Sequence, residues 1–344
     1  MIVVDAERAR SLGERVLGRY GASAAEARLQ ADLLLEADLR GRRSHGLQRL
    51  SVLTARLECG VLVAGAVPRL EWKAGSFLAV DGGDGFGVVA VRAAIEQLVL
   101  RAADTGVAAA GIRRGGHIGM LAPHLEEICG KGLVGFIMTT SEALVHPTGG
   151  RTALLGTNPI GICVPADPEP FVLDMSTAAI SAGEILARGQ SGEALPPGRC
   201  VDSHGNPTTD PELARAGAIS PFGGSKGYGL SLAVELLVAL MSATALGTDV
   251  VGTLDTDSRA TKGDLVIVLD PDAVGQVATV AAISSYLDTI RAAPRAAGID
   301  RILIPGDRMR AERARSLRDG IRYPSALWDS LLALDDNRSA GADD

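Results

Sequence analysis

Aromatic side chains are scarce in this sequence: Phe, Tyr and Trp together make up 3% of it, so aliphatic side chains and alanine must do the packing. Apolar residues at 47% against 22% charged give a globular balance with ample core material. No basic excess is present. A formal charge of -7 argues against nucleic acid as a partner, because phosphate binding needs a basic face. A small organic anion stays admissible, since a few arginines can set a local potential. The four cysteines, Cys59, Cys129, Cys163 and Cys200, lie far apart without a CxxC pair; that spacing implies no metal and predicts incidental thiols. Long hydrophobic runs are missing too. The most apolar stretch, LSLAVELLVALMSATAL, carries Glu235 and reads as a core helix, so no membrane span is expected. The opening MIVVDAERAR lacks the basic flank and apolar run of a signal peptide, and a cytoplasmic location is the expectation.

The 344 residues allow one to three domains. From residue 5 to about 60 the pattern is helical: Ser23–Glu26 is a capping box, Leu29, Leu33, Leu34 and Leu35 follow, and Gly41 is the stop. A second helix is predicted from about Gly46, with Leu47, Leu50, Leu53 and Leu57 on one stripe. Beyond residue 75 short strands alternate with helices. Strands are predicted at 77–80, 107–112, 133–139, 161–165, 171–174, 265–270 and 301–304; helices at 87–104, 119–130, 227–246 and 275–293. This is an α/β pattern with a largely buried sheet. A loop-rich segment spans roughly 186–225, and helix returns from about Arg308.

Two stretches carry chemistry. In GRRSHGLQRL, Ser44 is placed as a helix cap, His45 in the first turn, and Arg49 one turn on along the same face. A helix N-terminus and an arginine both disfavour imidazolium, so His45 is expected neutral near pH 7. A guanidinium beside a neutral imidazole and a hydroxyl suits a carboxylate attached to a polar carbon. In GGHIGM, His117 stands where a strand gives way to a helix, between glycines that admit a ligand. A third stretch, GFGVVA at 85–90, fits the G-x-G-x-x-A dinucleotide fingerprint, but the next strand ends without the acidic residue that would hold a ribose. Arg113 or Arg114 would there meet a 2′-phosphate instead, or the glycines form a structural turn.

Eight motifs in order, SHGLQR, GGHIGM, HPTGG, LLGTNPIGICVP, VLDMSTAAISAGEI, GNPTTDP, GGSKGYGL and IPGD, closely resemble the malate/L-lactate dehydrogenase family. That family also includes L-sulfolactate and ureidoglycolate dehydrogenases and cyclic-imine reductases, and the likeness covers nearly the whole chain. It implies a non-Rossmann α/β fold, L-sulfolactate dehydrogenase-like, with a mixed β-sheet and helices on both faces. It further implies a helical N-terminal part at 1–70 packing with 308–335, an α/β NAD(P)-binding domain at 71–307, and a tail at 336–344 expected as disordered. The glycines at 82–87 then become a structural turn. The resemblance also implies a homodimer and NAD or NADP as cofactor.

On the residues that match, the resemblance makes His117 the first choice for acid/base work, with His45 the second choice or a hydrogen-bond donor to substrate. Arg49 becomes the carboxylate anchor, since a planar guanidinium grips both oxygens, and Ser44 a further contact. Ser141 and Glu142 fall near substrate and nicotinamide. Thr157, Asn158, Asp174, Met175, Ser176, Lys226, Pro305, Gly306 and Asp307 fall to the cofactor, with His117 and Ser141 also beside it. Arg113, Arg114 and Arg308 are the candidates for a 2′-phosphate. His146 reads as a loop histidine.

The sequence departs from the family where Val52 and Leu53 replace a usual tyrosine, where His124 replaces another, and where RCVD at 199–202 replaces a tryptophan-containing stretch. The expected activity is interconversion of a small 2-hydroxy acid and its 2-oxo acid. The alternatives are reduction of a cyclic ketimine and a non-catalytic cofactor-binding paralogue.

Overall fold

A computed structural model describes residues 1–275 and 280–336. The chain opens with β1 (Ile2–Val4), α1 (Ala6–Arg19) and α2 (Ala24–Leu39), passes two 3-10 turns, and continues with α3 (Leu50–Glu58). Next come β2 (Arg69–Ala74), β3 (Phe77–Asp81), α4 (Gly87–Thr105), β4 (Val107–Arg113), α5 (Ala122–Cys129), β5 (Val134–Thr139), β6 (Ile160–Val164) and β7 (Phe171–Met175). A peripheral part holds α6 (Ala182–Ser191), β8 (Cys200–Val201), β9 (Pro207–Thr208), α7 (Pro211–Ala216) and β10 (Ala218–Ile219). The chain then runs through α8 (Ser225–Ser242), β11 (Gly263–Leu269), α9 (Val280–Ala292), α10 (Asp307–Asp319), β12 (Ile321–Tyr323) and α11 (Ser325–Asp336).

Seven strands form the main sheet in the order β2-β3-β4-β11-β5-β6-β7. Only β3 and β4 run parallel; every other pair is antiparallel, so the sheet is mixed. Successive side chains of a strand point to opposite faces, and β11 shows it directly. Val266 and Val268 pack with α4 and α5 residues such as Val91, Ile95 and Leu125, whereas Leu265 and Ile267 pack with Val234 and Val238 of α8. Helices therefore cover both faces. This is not a Rossmann sheet, and the fingerprint glycines do something else. A Cβ on Gly87 would stand 2.4 Å from the Gly115 carbonyl and 2.6 Å from that of His117, so its absence lets the His117 turn lie against α4.

A second core joins the two ends of the chain. Leu12, Val16 and Leu17 of α1 and Leu34 and Leu35 of α2 bury with Tyr323, Trp328 and Leu331, and β1 pairs with β12. Arg40 ties this part to the sheet: buried, it donates in a fork to Glu126 and also to Glu36, which in turn accepts from Arg313 of α10.

Two expectations need correction, and one strand went unpredicted. RILI at 301–304 joins no sheet; Ile304 is buried but follows two exposed residues among its three predecessors, so it has a hydrophobic anchor without a strand partner. The segment at 186–225 is not simply loop, since α7 and a small three-stranded sheet of order β10-β8-β9 fold around Leu195, Cys200 and Ile219. The strand at 69–74 was not anticipated, because its exposed, charge-rich RLEWKA resembles a turn more than a buried strand. Residues 337–344, the expected tail beyond Asp336, lie outside the described residues, as do 276–279 of the expected helix at 275–293. Among the described residues no helix is long and apolar enough to cross a membrane.

Candidate active site

The SHGLQR stretch is held from below by Asp38. Its Oδ2 accepts from the Leu47 amide at 2.8 Å and from the Tyr323 hydroxyl at 2.7 Å, while Gly46 packs so closely that a Cβ there would fall 1.8 Å from Oδ1. With the Leu47 amide taken by Asp38, the chain makes two 3-10 turns, Arg43–His45 and Leu47–Arg49, instead of the α-helical start expected at Gly46. Ser44 consequently caps nothing. Its hydroxyl lies 3.0 Å from Nδ1 of His45. Burial pushes the Asp38 carboxyl up to about 7, against the pull of its Leu47, Tyr323 and Arg43 neighbours.

His45 and His117 meet with ring centroids 5.4 Å apart and planes tilted by 33°. Burial first, then Arg49 and Arg42, bring His45 down to about 4. Burial, Arg49, His45 and Lys262 hold His117 well below the ordinary histidine range. Both rings are neutral at pH 7. The Gly119 amide donates to Nδ1 of His117 at 3.1 Å, so the neutral ring carries its proton on Nε2. His45 has a rotatable hydroxyl at Nδ1, which donates or accepts, and either tautomer is open to it.

Arg49 reaches the same pocket, which is lined also by Gln30, Leu53, Arg56, Phe86, His117 and Thr253. Its Nη2 donates to the Thr253 carbonyl at 2.5 Å, and its Nε is buried without a partner. Thr253 belongs to a loop that Glu142 clamps: the carboxylate accepts from the Thr253 amide at 2.6 Å, the Leu254 amide at 2.7 Å and the Thr253 hydroxyl at 2.5 Å. Glu142, expected at the substrate, thus holds the loop that closes over it. About 10 Å³ remains inside, room for one water.

The residues expected at the cofactor divide into two groups. Ser141, Thr157 and Ser176 form one cluster: the Thr157 amide donates to Ser141 Oγ at 2.9 Å, and the Ser176 hydroxyl donates to the Thr157 carbonyl at 3.1 Å. Lys226 is exposed in the first turn of α8, whose start lies beside the end of β7 through the Phe222 amide bonded to the Thr177 carbonyl. Met175 is half-buried at the end of β7. The others are committed inward. Asn158 is fully buried and donates to Glu235 at 2.7 Å, joining its turn to α8. Asp174 accepts from the amides of Leu121 and Ala122, both at 2.9 Å, and so serves the start of α5. Asp307 accepts from Arg291, Arg310 and the Ile304 amide, with Gly306 against Arg310 and the Pro305 carbonyl bonded to β7. Burial opposes ionisation of Asp307, but these donors hold its carboxyl below the usual range.

Of the arginines expected at a 2′-phosphate, Arg113 pairs with Asp81 and Arg114 with Asp81 and Asp84. Arg308 is exposed at the start of α10. His146 is tied to Ser220 and the Pro147 carbonyl, and His124 is a buried residue bonded to the Ile118 carbonyl beneath the His117 turn. Sequence reasoning missed Lys262 and Asp264, a buried ion pair beside His117 that also engages Thr139. Two charges two apart at a strand start share one face, which is the signal for it, but the same pattern is ordinary on a solvated edge.

The site thus joins, on a mixed α/β sheet with helices on both faces, a pocket lined by His117 and the half-buried guanidinium of Arg49 to a second neutral imidazole, His45, that packs against His117. The chain matches the family model for malate/L-lactate dehydrogenase over residues 4–332. It is 32% identical over 335 residues to the malate/(S)-sulfolactate dehydrogenase of Methanothermus fervidus, covering 97% of this chain and 98% of that one. It is 36% identical over 344 residues to a Delta(1)-pyrroline-2-carboxylate/Delta(1)-piperideine-2-carboxylate reductase of Pseudomonas aeruginosa, covering 97% and 99%. The crystal structure of a dehydrogenase from Sinorhizobium meliloti matches with a TM-score of 0.93 at 46% identity, covering 97% of this chain and 98% of that one. The chain belongs to the malate/L-lactate dehydrogenase family, and it is an oxidoreductase.

Proposed function

We propose that the protein is an NAD(P)-dependent oxidoreductase that interconverts a small 2-hydroxy acid and its 2-oxo acid. The observation that carries this reading is that Arg49 and His117 line one pocket while the His45 ring packs against that of His117 at 5.4 Å. Arg49 grips the carboxylate in place of the Thr253 carbonyl, and its unpartnered Nε supplies the second prong of the fork. In the direction of reduction, Nε2–H of His117 donates to the substrate oxygen as negative charge grows there. His45, free to take either tautomer against Ser44, exchanges the proton. The proton carrier expected first, His117, thereby acts with His45 as a pair.

The residues present fit a dinucleotide. An exposed ammonium, Lys226, stands in the first turn of an eighteen-residue helix that follows Gly223 and Gly224 at φ +58° and +63°, a donor set suited to phosphate. Ser141, Thr157 and Ser176, bonded to one another, add a polar cluster at the end of β7 next to the start of α8. The nicotinamide, when bound, supplies or accepts hydride at the carbon bearing the oxygen; the chain's own residues orient the acid, exclude water and manage the proton.

A second reading, reduction of a cyclic ketimine, draws on the identity with the pyrroline-2-carboxylate reductase. Assay of NADH and NADPH against 2-oxo acids and Δ1-pyrroline-2-carboxylate decides between them. Rapid reduction of the imine with no turnover of any 2-oxo acid reverses the order. We also propose a homodimer: α8 leaves Leu236, Leu237, Leu240 and Met241 exposed on one side, a row of apolar groups that suits a second copy.

A further inference from the structure

One buried ion pair is not needed to hold the sheet together. The side chains of Lys262 and Asp264 are 3% and 1% exposed and pair with each other, and the Lys262 ammonium also donates to the Thr139 hydroxyl at 3.1 Å. The strand ends on which they stand are closed without them. The Thr140 amide donates to the Gly263 carbonyl at 3.1 Å, and the Gly263 amide donates to the Thr140 hydroxyl at 3.0 Å. A buried ion pair adds little stability, because both charges are stripped of water, and apolar groups of the same volume serve a core as well.

The position of the pair is more telling. Gly263 stands opposite Arg113 in the antiparallel register of β11 and β4, so Lys262 falls where β4 ends and the chain turns through Gly115 and Gly116 to His117. A Cβ on Gly263 would meet Ser242 and Thr244 on the α8 side. Lys262 and Asp264 therefore face the other way, with Val266 and Val268, toward α4 and α5. His124 of α5 lies beneath the same turn, its Nε2 donating to the Ile118 carbonyl at 2.9 Å, and is faced by Asp264, Glu127 and Arg92. The groups that face His117 are Arg49, the His45 ring and Lys262, and all three oppose a second proton on it.

We propose that Lys262 is a positioning residue for His117: anchored by Asp264 and Thr139, its ammonium is a fixed cation at the foot of the His117 turn that keeps the ring in its singly protonated form. A substrate carboxylate on Arg49 cancels the charge of that arginine, and the cation that remains beside the ring is Lys262. When His117 takes up a proton in oxidation, the imidazolium stands beside a cation and gives the proton up readily; in reduction the same charge makes the ring a stronger donor. This consequence for catalysis rests on the acid/base reading above, whereas the placement of Lys262 does not.

The test removes the charges and keeps the hydrogen bonds. Lys262→Gln/Asp264→Asn is compared with the wild type and with Lys262→Arg by proton–carbon NMR on the full chain, its five histidines carbon-labelled at Cε1 and His117 assigned by its loss in His117→Gln. Loss of a cation favours imidazolium, so His117 should titrate about half a unit to one unit higher in the double variant, the scale for a nearby charge partly balanced by its counterion. Lys262→Arg, which keeps the charge, should leave the titration at its wild-type position. A second arm follows kcat/KM for oxidation of malate and lactate with NAD+ and NADP+ across pH, where the acid limb should rise by the same amount. If His117 behaves alike in the wild type and the double variant, the proposal is overturned; a shift as large in Lys262→Arg overturns it too. A titration that moves while the kinetic limb stays in place upholds the placement of Lys262 and removes the acid/base role of His117. No turnover of any 2-hydroxy or 2-oxo acid removes the function proposed above, and the titration still decides this inference. If the double variant does not fold, Lys262→Met/Asp264→Leu carries the same comparison.

Discussion

His45 and His117 face one another at 5.4 Å, and their partners differ: a backbone amide fixes Nδ1 of His117, while a hydroxyl that turns leaves Nδ1 of His45 free to give or take a proton. The two imidazoles are therefore not interchangeable. His117→Ala should lower kcat by about 100- to 10,000-fold in both directions, the ordinary loss when a group that hydrogen-bonds or protonates the reacting oxygen is removed. His45→Gln should cost kcat on a similar scale and alter its pH profile. Ser44→Ala should leave a milder deficit, since water can stand at Nδ1. Steady-state kinetics across pH check all three; a His45→Gln enzyme with wild-type kcat at every pH places the whole proton burden on His117.

Asp38 gives a pH signature of its own. Its carboxyl sits at about 7 in the folded chain against 3.8 as the ordinary value. The folded state thus binds more protons between those values, and wild-type stability falls as pH rises from about 4 to 7 through this group. Asn keeps an oxygen for the Leu47 amide and the Tyr323 hydroxyl but cannot ionise. Asp38→Asn should gain on the wild type as pH climbs through that window, by up to about 1.4 kcal/mol per unit, and level off above it. Denaturant melts at a series of pH values check this. His45 contributes with the opposite sign: folded near 4 and ordinarily 6.5, its share of stability is whole above 6.5 and drains away as pH falls toward 4. Gly46→Ala should be severely destabilising, because the added methyl meets the Asp38 carboxylate.

How much of this was open to view in the sequence depended on distance along the chain. The strands of the sheet centre announced themselves as apolar runs, and β11 lies within one or two residues of expectation because it is buried on both faces. His45, Arg49 and His117 stood out because histidine is rare and glycine surrounds it. The double 3-10 turn did not, since Asp38 and Tyr323, which impose it, stand 285 positions apart. Nor did the roles of Glu142 and Asp174. A carboxylate near a motif invites a ligand, but the backbone amides that Glu142 and Asp174 satisfy belong to segments 111 and 53 residues away. The short strands β8, β9 and β10, two residues each, carry no period at all.

Glu142 should govern how the pocket opens. It holds the loop through three hydrogen bonds, and without them the carbonyl contacts to Arg49 and Arg56 remain to tie the 252–258 segment to the rest of the site. Glu142→Ala should raise amide exchange across 252–258 by tenfold or more, in line with the loss of charge-assisted bonds, while exchange in β11 stays slow. Hydrogen-exchange mass spectrometry reads both segments at once. Equal protection of the loop in the variant shows that the arginine contacts hold it alone.

The exposed row on α8 predicts assembly. Leu240 is 79% exposed and Leu236 51%, on a helix whose opposite side fills the core with Val234 and Val238. A helix apolar on all sides is stable only when all sides are covered. Leu240→Glu should shift the protein from dimer to monomer at micromolar concentration in sedimentation velocity, because one charge in an apolar contact is left without a partner. The same helix bears Glu235, which accepts from Asn158 and the Gly247 amide, so losing the contact should also loosen the turn that carries Thr157. A wild-type chain that sediments as a monomer at every concentration would mean that the α8 face is covered by something other than its own copy.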